Sequence, residues 1–247
     1  MLFKYVKAQK GETKFMDVHS FTDHLIICGY GKISNVIIEE LANEKESFVV
    51  IENDMKIFKA LEEKKIPCVF GNSFDEEVLT EAGINTAKSL IITFLNDSEN
   101  LYTVLAAKEL NPSLNVVSRA SSSNSAKTIK GVGANKVLVI ADLLGSHILS
   151  CLFKPIVANF LEQINYSDES AVLVEEVVIN CDSNLINMNI GCLRNDENSN
   201  AIVLALRRSS TNELIFNPNN DTKIRENDII IAIGTEEQIE ILKSLII

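Results

Sequence analysis

A strand–turn–helix–strand pattern in the first quarter of the chain constrains the fold more than any other feature. The run Leu-Ile-Ile-Cys at residues 25–28 is short and wholly apolar, which is typical of a strand buried on both faces. Gly29 and Gly31 interrupt it, and residues 32–43 then carry apolar side chains at helical spacing. A second buried run, at residues 48–51, ends in a carboxylate. This pattern predicts the start of a parallel, doubly wound α/β domain.

The same unit contains the parts that hold a dinucleotide or an adenine nucleotide. Gly29 permits a tight turn, Gly31 lets the backbone approach a phosphate, and the N–H groups that open the helix face the anion. Glu52 follows the glycines by about 20 residues, where a carboxylate can accept hydrogen bonds from ribose hydroxyls. The dinucleotide-binding fingerprint is G-x-G-x-x-G, and in this chain Ser34 takes the place of its third glycine. The alternative interpretation is a doubly wound sheet whose glycine turn binds nothing.

The pattern continues until six strands have alternated with helices, which predicts one doubly wound domain ending near residue 142. Two further strand ends carry polar side chains. Asn72 lies in a Gly-Asn-Ser turn, and Arg119 ends the fifth strand. The fork of donors on the arginine matches phosphate oxygens, and an ion pair with Glu52 or Asp54 is the alternative.

The segment 143–166 carries paired apolar residues at helical spacing, and Pro155 interrupts it. This predicts two helices that meet at Lys154 and Pro155. The apolar stripe either covers the sheet of its own domain or forms a subunit interface, and its length favours the interface. Beyond it we predict a small α+β domain at 167–247, with strands at 171–179, 201–208, 214–216 and 228–233 and helices at 188–193 and 236–245.

Two helix starts carry capping signals. Asp97 precedes the helix that runs to Leu110, and we predict that it caps this helix. Thr235 and Gln238 have the spacing of a capping box at the last helix.

Composition narrows the classes of function. The 247-residue chain has a formal net charge of −11, which argues against a nucleic-acid partner because phosphate binding draws on clustered lysine and arginine. Five scattered cysteines indicate a reducing compartment. Because the chain has no C-x-x-C pair and its three histidines are isolated in sequence, we expect no transition-metal site.

No stretch is apolar enough to span a bilayer and no signal peptide is evident, so we expect a soluble, cytoplasmic chain. Residues 1–22 are interpreted as a leader or as a linker from a membrane segment.

A series of different short motifs extends along nearly the whole chain after residue 23. In order, they are Gly29-Tyr30-Gly31, Ile51-Glu52-Asn53-Asp54, Gly71-Asn72-Ser73, Glu81-Ala82-Gly83-Ile84, Asn96-Asp97-Ser98-Glu99-Asn100, Ser118-Arg119-Ala120, Gly133-Ala134-Asn135 and Ile224-Arg225-Glu226-Asn227-Asp228-Ile229-Ile230. Their order resembles that of the RCK domains, also called TrkA-type domains, which regulate potassium conductance. The last motif resembles the C-terminal subdomain of that family.

The resemblance implies a Rossmann-like N-terminal lobe at 23–142, a helix–turn–helix crossover at 143–166 and a C-terminal subdomain at 167–247. It also implies homodimers that assemble into an octameric ring beneath a potassium channel or a potassium-uptake transporter, at the inner face of the cell membrane. Ligand binding in the N-terminal lobe would change the hinge angle between lobes and so gate K⁺ conduction. The chain would be either a separate gating subunit or the soluble part of a channel.

Carried over position by position, the resemblance assigns phosphate contacts to the glycine turn, to the first helical residues and to Arg119. It assigns the ribose contact to Glu52 and the adenine contacts to Asn72 and Ser73. Relatives often have aspartate at the position of Asn72. Because a carboxylate suits a free 2′-hydroxyl, Glu52 favours NAD(H), ATP or ADP over NADP. The residues expected to bind the nucleotide are Gly29, Tyr30, Gly31, Lys32, Ile33, Ser34, Glu52, Asn53, Asn72, Ser73 and Arg119.

A calcium site of the family is not expected here. In the calcium-gated archaeal relative, carboxylates occupy the positions that match Thr93, Arg119 and Ser121. None of these three residues is a carboxylate in this chain, so we expect no calcium at that position.

Two other functions use a similar fold. An NAD-dependent oxidoreductase needs a proton donor or base near the nicotinamide, but the region after residue 171 has no histidine, and we expect no enzymatic activity. A redox-sensing transcription factor needs a basic recognition helix, which the sequence does not indicate.

Overall fold

The computed structural model describes residues 4–6, 15–17, 21–166, 172–194 and 200–246. The chain divides into two compact units, Met1–His147 and Ile148–Ile247. The predicted start of the C-terminal domain at residue 167, and the first residue of its predicted strand at 171, lie outside the described residues.

Two short strands precede the first domain. Strand β1 (Lys4–Val6) pairs antiparallel with β2 (Phe15–Asp17), so that Lys4 lies opposite Asp17. The sequence pattern predicted only a leader or linker here, and the strand pair was not anticipated. The rest of the segment 1–20 lies outside the described residues.

The first unit is built on a six-stranded parallel sheet, as the sequence predicts. The strands are β3 (Leu25–Cys28), β4 (Phe48–Glu52), β5 (Cys68–Phe70), β6 (Ser89–Ile92), β7 (Asn115–Ala120) and β8 (Lys136–Val139). Their order in the sheet is β5-β4-β3-β6-β7-β8, so the direction of strand addition reverses between β3 and β6. In an open parallel sheet this reversal opens a crevice at the carboxyl ends of the strands.

Five helices connect these strands. Ile26, Ile27, Val49, Val50 and Ile51 on the interior strands β3 and β4 are fully buried, which explains why those strands are continuous apolar runs rather than alternating ones. The helices are α1 (Lys32–Asn43), α2 (Met55–Glu63), α3 (Glu76–Glu81), α4 (Asp97–Leu110) and α5 (Ser123–Gly131).

The prediction that Asp97 caps α4 is wrong by one residue. The cap is Asn96, whose side chain accepts a hydrogen bond from the N–H of Ser98 at 2.9 Å. Both residue types are good helix caps, so the local sequence does not separate them. The Asp97 carboxylate instead bonds to Ser121, across the crevice loops.

The crossover segment forms two helices, as predicted. Helix α6 (Ile140–Phe153) ends one residue before Lys154, and α7 (Pro155–Tyr166) begins with the proline. Proline is tolerated at the first helical position because the N–H that it lacks would have no hydrogen-bond partner within the helix. The division between the two units falls inside α6, between His147 and Ile148.

The apolar stripe of these helices is exposed in the part of the chain that the structure describes. Helix α6 has no buried residue, and Leu152, Phe153 and Ile156 are 68%, 73% and 83% exposed. These exposures contradict the covering interpretation for the described residues, and the subunit interface stays a prediction. Within the described part of the chain, no helix is long and apolar enough to cross a membrane.

The second unit contains a four-stranded antiparallel sheet with helices, an α+β arrangement as predicted. Its elements are β9 (Leu173–Val178), α8 (Gly191–Arg194), β10 (Ile202–Arg207), β11 (Leu214–Phe216), β12 (Ile229–Gly234) and α9 (Glu236–Ile246). The strand order is β11-β10-β12-β9, and Leu206, Ile230, Ile239 and Leu242 pack in the core of this unit.

The capping box of the last helix is confirmed. The Thr235 N–H donates to Oε1 of Gln238 at 2.8 Å, and the Gln238 N–H donates to the Thr235 hydroxyl at 3.3 Å. The start of α9 is therefore fixed by its own sequence.

A buried ion pair holds the loops of the second unit together. The Arg208 guanidinium donates to the Asp228 carboxylate, which also accepts hydrogen bonds from the N–H groups of Ser209 and Arg225. The side chains of Arg208 and Asp228 are 11% and 1% exposed, so solvent screens the pair little. Removing one partner leaves an uncompensated buried charge.

We expect Arg208→Met to destabilise the second unit by about 3–5 kcal/mol, because Asp228 then stays buried without its cation. Hydrogen exchange at the β12 amides measures this loss. The neighbouring exposed Arg207 provides the matched control, and Arg207→Met should change stability by less than about 0.5 kcal/mol. Equal exchange in the two variants would contradict the role of the pair.

A buried histidine lies at the base of the first sheet. His24 is fully buried, and its Nε2 lies 2.9 Å from the Ala82 carbonyl oxygen, so Nε2 carries the proton. Nδ1 is buried and has no hydrogen-bond partner among the described residues. Burial lowers the pKa of His24, although the bond to Ala82 and the charge of Asp23 act in the opposite direction.

We expect the first unit to lose stability as pH falls below about 6.5, because the unfolded chain then binds a proton at His24 that the folded chain excludes. Unfolding free energies measured between pH 7.5 and pH 5.5 test this. His24→Gln keeps a donor for Ala82 but does not titrate, so its stability should vary less over the same interval. Equal pH dependence in both proteins would contradict this role of His24.

Candidate functional site

The glycine turn after β3 is fixed by the chain itself. Gly29 has φ +84°, which favours glycine, and a Cβ there would lie 2.7 Å from the Phe94 ring. The Gly29 N–H donates to the Ile51 carbonyl at 2.9 Å. Any side chain at this position would therefore disturb the turn regardless of a ligand.

Gly31 differs from Gly29 both in its backbone conformation and in the space around its Cα. Its backbone is extended, with φ −127°, and a Cβ there would meet no atom of the described residues within 4 Å. The fold of this chain does not require glycine at this position. Glycine here leaves room beside the first turn of α1, which is what a close approach to a phosphate requires.

The start of α1 favours an anion. No side chain caps this helix, whereas Asp54, Asn96 and Ser122 cap α2, α4 and α5 at the same edge of the sheet. The first turn contains no acidic residue, and it begins with the exposed Lys32. A cation is unfavourable beside the positive end of a helix dipole. The N–H groups of the first turn and the Lys32 ammonium together form a site suited to a phosphate.

Glu52 joins the glycine turn to the end of β4. Its side chain is almost wholly buried; Oε2 accepts from the Tyr30 N–H and Oε1 from the Asp54 N–H, each at 2.8 Å. A carboxylate has about four acceptor positions, so two of them remain for hydroxyl donors such as those of a ribose. Asn53, the next residue, is exposed at the rim.

Serine at the third fingerprint position has a structural role. Ser34 is fully buried; its hydroxyl donates to the Gly29 carbonyl at 2.6 Å and lies 2.7 Å from the Thr93 hydroxyl. It thus ties the glycine turn to the end of β6, and it also lies 3.5 Å from the Gly31 N–H, which donates to it. Ile33 is partly buried beside it, and the Tyr30 hydroxyl donates to Asn35.

The turn after β5 places its two predicted residues differently. The Asn72 side chain bonds to Asn53 at 3.2 Å and to Asp75 at 3.1 Å, on the rim of the crevice. Ser73 is buried, and its hydroxyl lies 2.7 Å from that of Thr103 in the core. The adenine contact of Asn72 stays a prediction, and the Ser73 hydroxyl is engaged in the core, away from the rim.

Arg119 acts electrostatically on Asp97 rather than on the acids at the end of β4. Burial acts to raise the pKa of Asp97, but hydrogen bonds from Ser121 and Ser125, together with the positive charge of Arg119, lower it overall. No ion pair joins Arg119 to Glu52 or Asp54 in the described part of the chain, so that alternative is wrong. Strands β3 and β6 separate β4 from β7, a distance of roughly 14 Å.

The guanidinium of Arg119 keeps an unused donor. Its Nε is buried and has no hydrogen-bond partner among the residues that the structure describes. A buried N–H without an acceptor is unfavourable by about 1–3 kcal/mol, and a phosphate oxygen would satisfy it.

Comparison with known proteins gives a consistent result. Residues 25–140 match the model of the TrkA-N domain family, and residues 174–246 match that of the TrkA-C domain family. Potassium channel protein 1 of Methanocaldococcus jannaschii is 30% identical over 233 residues, which cover 93% of this chain and 69% of that protein.

Solved structures share the fold of the first unit. The TrkA-N domain of the inner membrane protein YbaL from Escherichia coli has a TM-score of 0.52 and 28% identity, covering 54% of this chain and 98% of that domain. A structure of GsuK bound to ADP has a TM-score of 0.50 and 24% identity, covering 54% of this chain and 35% of that chain. With both of its domains matched in order, the chain belongs to the RCK family of TrkA-type proteins, as its motifs indicate.

Proposed function

We propose that this chain is the ligand-binding regulatory part of a potassium channel or potassium-uptake transporter. The observation that carries the proposal is the match of both TrkA domains, together with a relative named as a potassium channel protein over 93% of this chain. In this function the protein converts ligand binding into a change of K⁺ conduction. It acts at the inner face of the cell membrane, in contact with the membrane subunit.

The ligand is an adenine nucleotide, namely NAD(H), ATP or ADP. Its phosphates lie at Gly31, Lys32 and the first turn of α1, where the chain provides room, N–H donors and positive charge. Its ribose bonds to Glu52 and its adenine lies toward Asn72 on the rim. Glu52 disfavours NADP because a 2′-phosphate would place negative charge against a buried carboxylate.

Regulation requires that the nucleotide bind one conformation of the assembly more tightly than another, by about 1–3 kcal/mol in typical cases. The crevice offers a physical basis for such a preference. The nucleotide would satisfy donors on separate elements, the start of α1 and the Nε of Arg119, so its binding favours the conformation in which both converge.

The chain functions as a homodimer within an octameric ring. The support comes from α6 and α7, whose large apolar side chains are exposed over both helices. A contiguous apolar surface of this kind marks an interaction site in soluble proteins, and self-association of identical chains is the commonest way to cover it.

The rival function is an NAD-dependent oxidoreductase on the same fold. Such an enzyme needs a proton donor or base beside the nicotinamide. The three histidines of the chain are His19, His24 and His147, and the pKa of His24 is lowered by its burial at the base of the sheet, away from the carboxyl-end crevice. We therefore propose binding without catalysis, which a hydride-transfer assay with NADH checks directly.

We expect NAD, NADH, ATP or ADP to raise the melting temperature of the purified chain, because a ligand that binds only the folded state stabilises it. Gly31→Ala should reduce the affinity at least about 10-fold, equivalent to about 1.4 kcal/mol, by placing a methyl group where the phosphate approaches. The melting temperature without ligand should change little, since this methyl group meets no atom of the chain.

The control is Gly131→Ala, at the end of α5, where a Cβ also meets nothing within 4 Å. It should keep the full nucleotide response. Gly31 is a sharper test than Glu52, because Glu52 also bonds to two backbone N–H groups and its loss would weaken the fold itself. A wild-type protein that responds to no nucleotide, or a Gly31→Ala variant with unchanged affinity, would refute the proposed site.

We expect the wild-type chain to be a dimer or larger by light scattering, against a monomer mass of 27.3 kDa. Replacing Phe153 and Ile156 together by glutamate should produce monomers, because charges cannot be buried unpaired in an apolar interface. Phe216→Glu, on the edge strand β11, changes a side chain that is 75% exposed and should leave the mass unchanged. A monomeric wild type would contradict the homodimer.

A further inference from the structure

Three side chains that commonly ligate metals converge on the crossover helices. The imidazole of His147, the thiol of Cys151 and the carboxylate of Glu162 place one ligand atom each within 4.8 Å of one another. His147 and Cys151 are exposed and Glu162 is half-buried. The group lies on α6 and α7, and it shares no residue with the nucleotide crevice.

Local helix geometry explains two of the three positions. His147 and Cys151 are four residues apart on α6, so they lie one above the other on the same face of that helix. Glu162 comes from α7, after the break at Lys154. Sequence spacing alone does not indicate the group, because it contains no C-x-x-C pair and no neighbouring histidines.

The ligand types select a class of metal. A thiolate and an imidazole suit Zn²⁺ and similar transition ions, whereas Ca²⁺ and Mg²⁺ take oxygen ligands. Tetrahedral zinc with bonds of about 2.0–2.3 Å separates its ligand atoms by roughly 3.5 Å. Starting from 4.8 Å or less, small side-chain rotations bring the three atoms to that spacing.

We propose that His147, Cys151 and Glu162 form a binding site for a divalent transition ion of the zinc class. Three protein ligands leave one coordination position for water or for a group from outside the chain. The ion links α6 to α7 across the Lys154–Pro155 break and so fixes the angle between these two helices. Binding releases the thiol proton, because the metal ligand is the thiolate.

Cobalt(II) provides a direct test with the full 247-residue chain. Titration with Co²⁺ should produce intense visible absorption of a tetrahedral site and a near-ultraviolet thiolate-to-cobalt charge-transfer band, at one ion per chain. Zn²⁺ should abolish both signals by displacement. These bands report ligand identity, so they do not depend on any activity or on nucleotide binding.

Substitution of each proposed ligand tests whether that side chain binds the metal. Cys151→Ser should remove the charge-transfer band, and His147→Ala and Glu162→Gln should each weaken Co²⁺ binding at least about 10-fold. The matched control is Cys181→Ser, which removes another exposed cysteine of the second unit and should leave the spectrum unchanged. Circular dichroism verifies that each variant is folded.

Two results would overturn the proposal. One is a wild-type spectrum without a charge-transfer band at stoichiometric Co²⁺. The other is a band that persists in Cys151→Ser or disappears in Cys181→Ser, which would assign the metal to a different thiol.

Discussion

Burial of β3 and β4 on both faces is the constraint on which the first unit depends. Their fully buried side chains leave no solvated face, so their backbone groups pair with neighbouring parallel strands, and helices cover the sheet on both sides. Parallel strands place all of their carboxyl ends at one edge. The polar turns that follow the strands therefore gather there, and the reversal of strand order between β3 and β6 keeps space between them. The crevice is a consequence of how the core is covered.

Glu52 shows how one side chain serves both stability and binding. Its carboxylate accepts the N–H groups of Tyr30 and Asp54 and so holds the glycine turn in the shape that presents α1 to a phosphate. A buried carboxylate is unfavourable without such donors, and the donors need an acceptor because they are themselves withdrawn from water. The acceptor positions that remain on the same carboxylate are available to a ribose. Loss of Glu52 would therefore remove the turn and the contact together.

Sequence patterns predicted those features that depend on near neighbours in the chain. All six strands and the break at Pro155 follow from runs of apolar residues and from the geometry of proline. Contacts between distant residues were not predicted. Asp97 was predicted to cap its own helix, whereas its carboxylate bonds to Ser121. The ion pair considered as the alternative role of Arg119 involves acids at the end of a strand that lies three positions away in the sheet. The group at His147, Cys151 and Glu162 depends on how α7 returns after Lys154, which no spacing rule describes.

The two glycines of the turn separate what the fold needs from what the ligand needs. At Gly29 the positive φ and the Phe94 ring exclude any other residue, so its presence indicates a tight turn and nothing about binding. At Gly31 the backbone is extended and a Cβ would contact no atom in the part of the chain that the structure describes, so the fold there gives no reason for glycine. The same first turn lacks a cap and begins with Lys32 beside the positive end of the helix. Each of these features is mildly unfavourable for the isolated chain, and a bound phosphate turns all of them into favourable contacts.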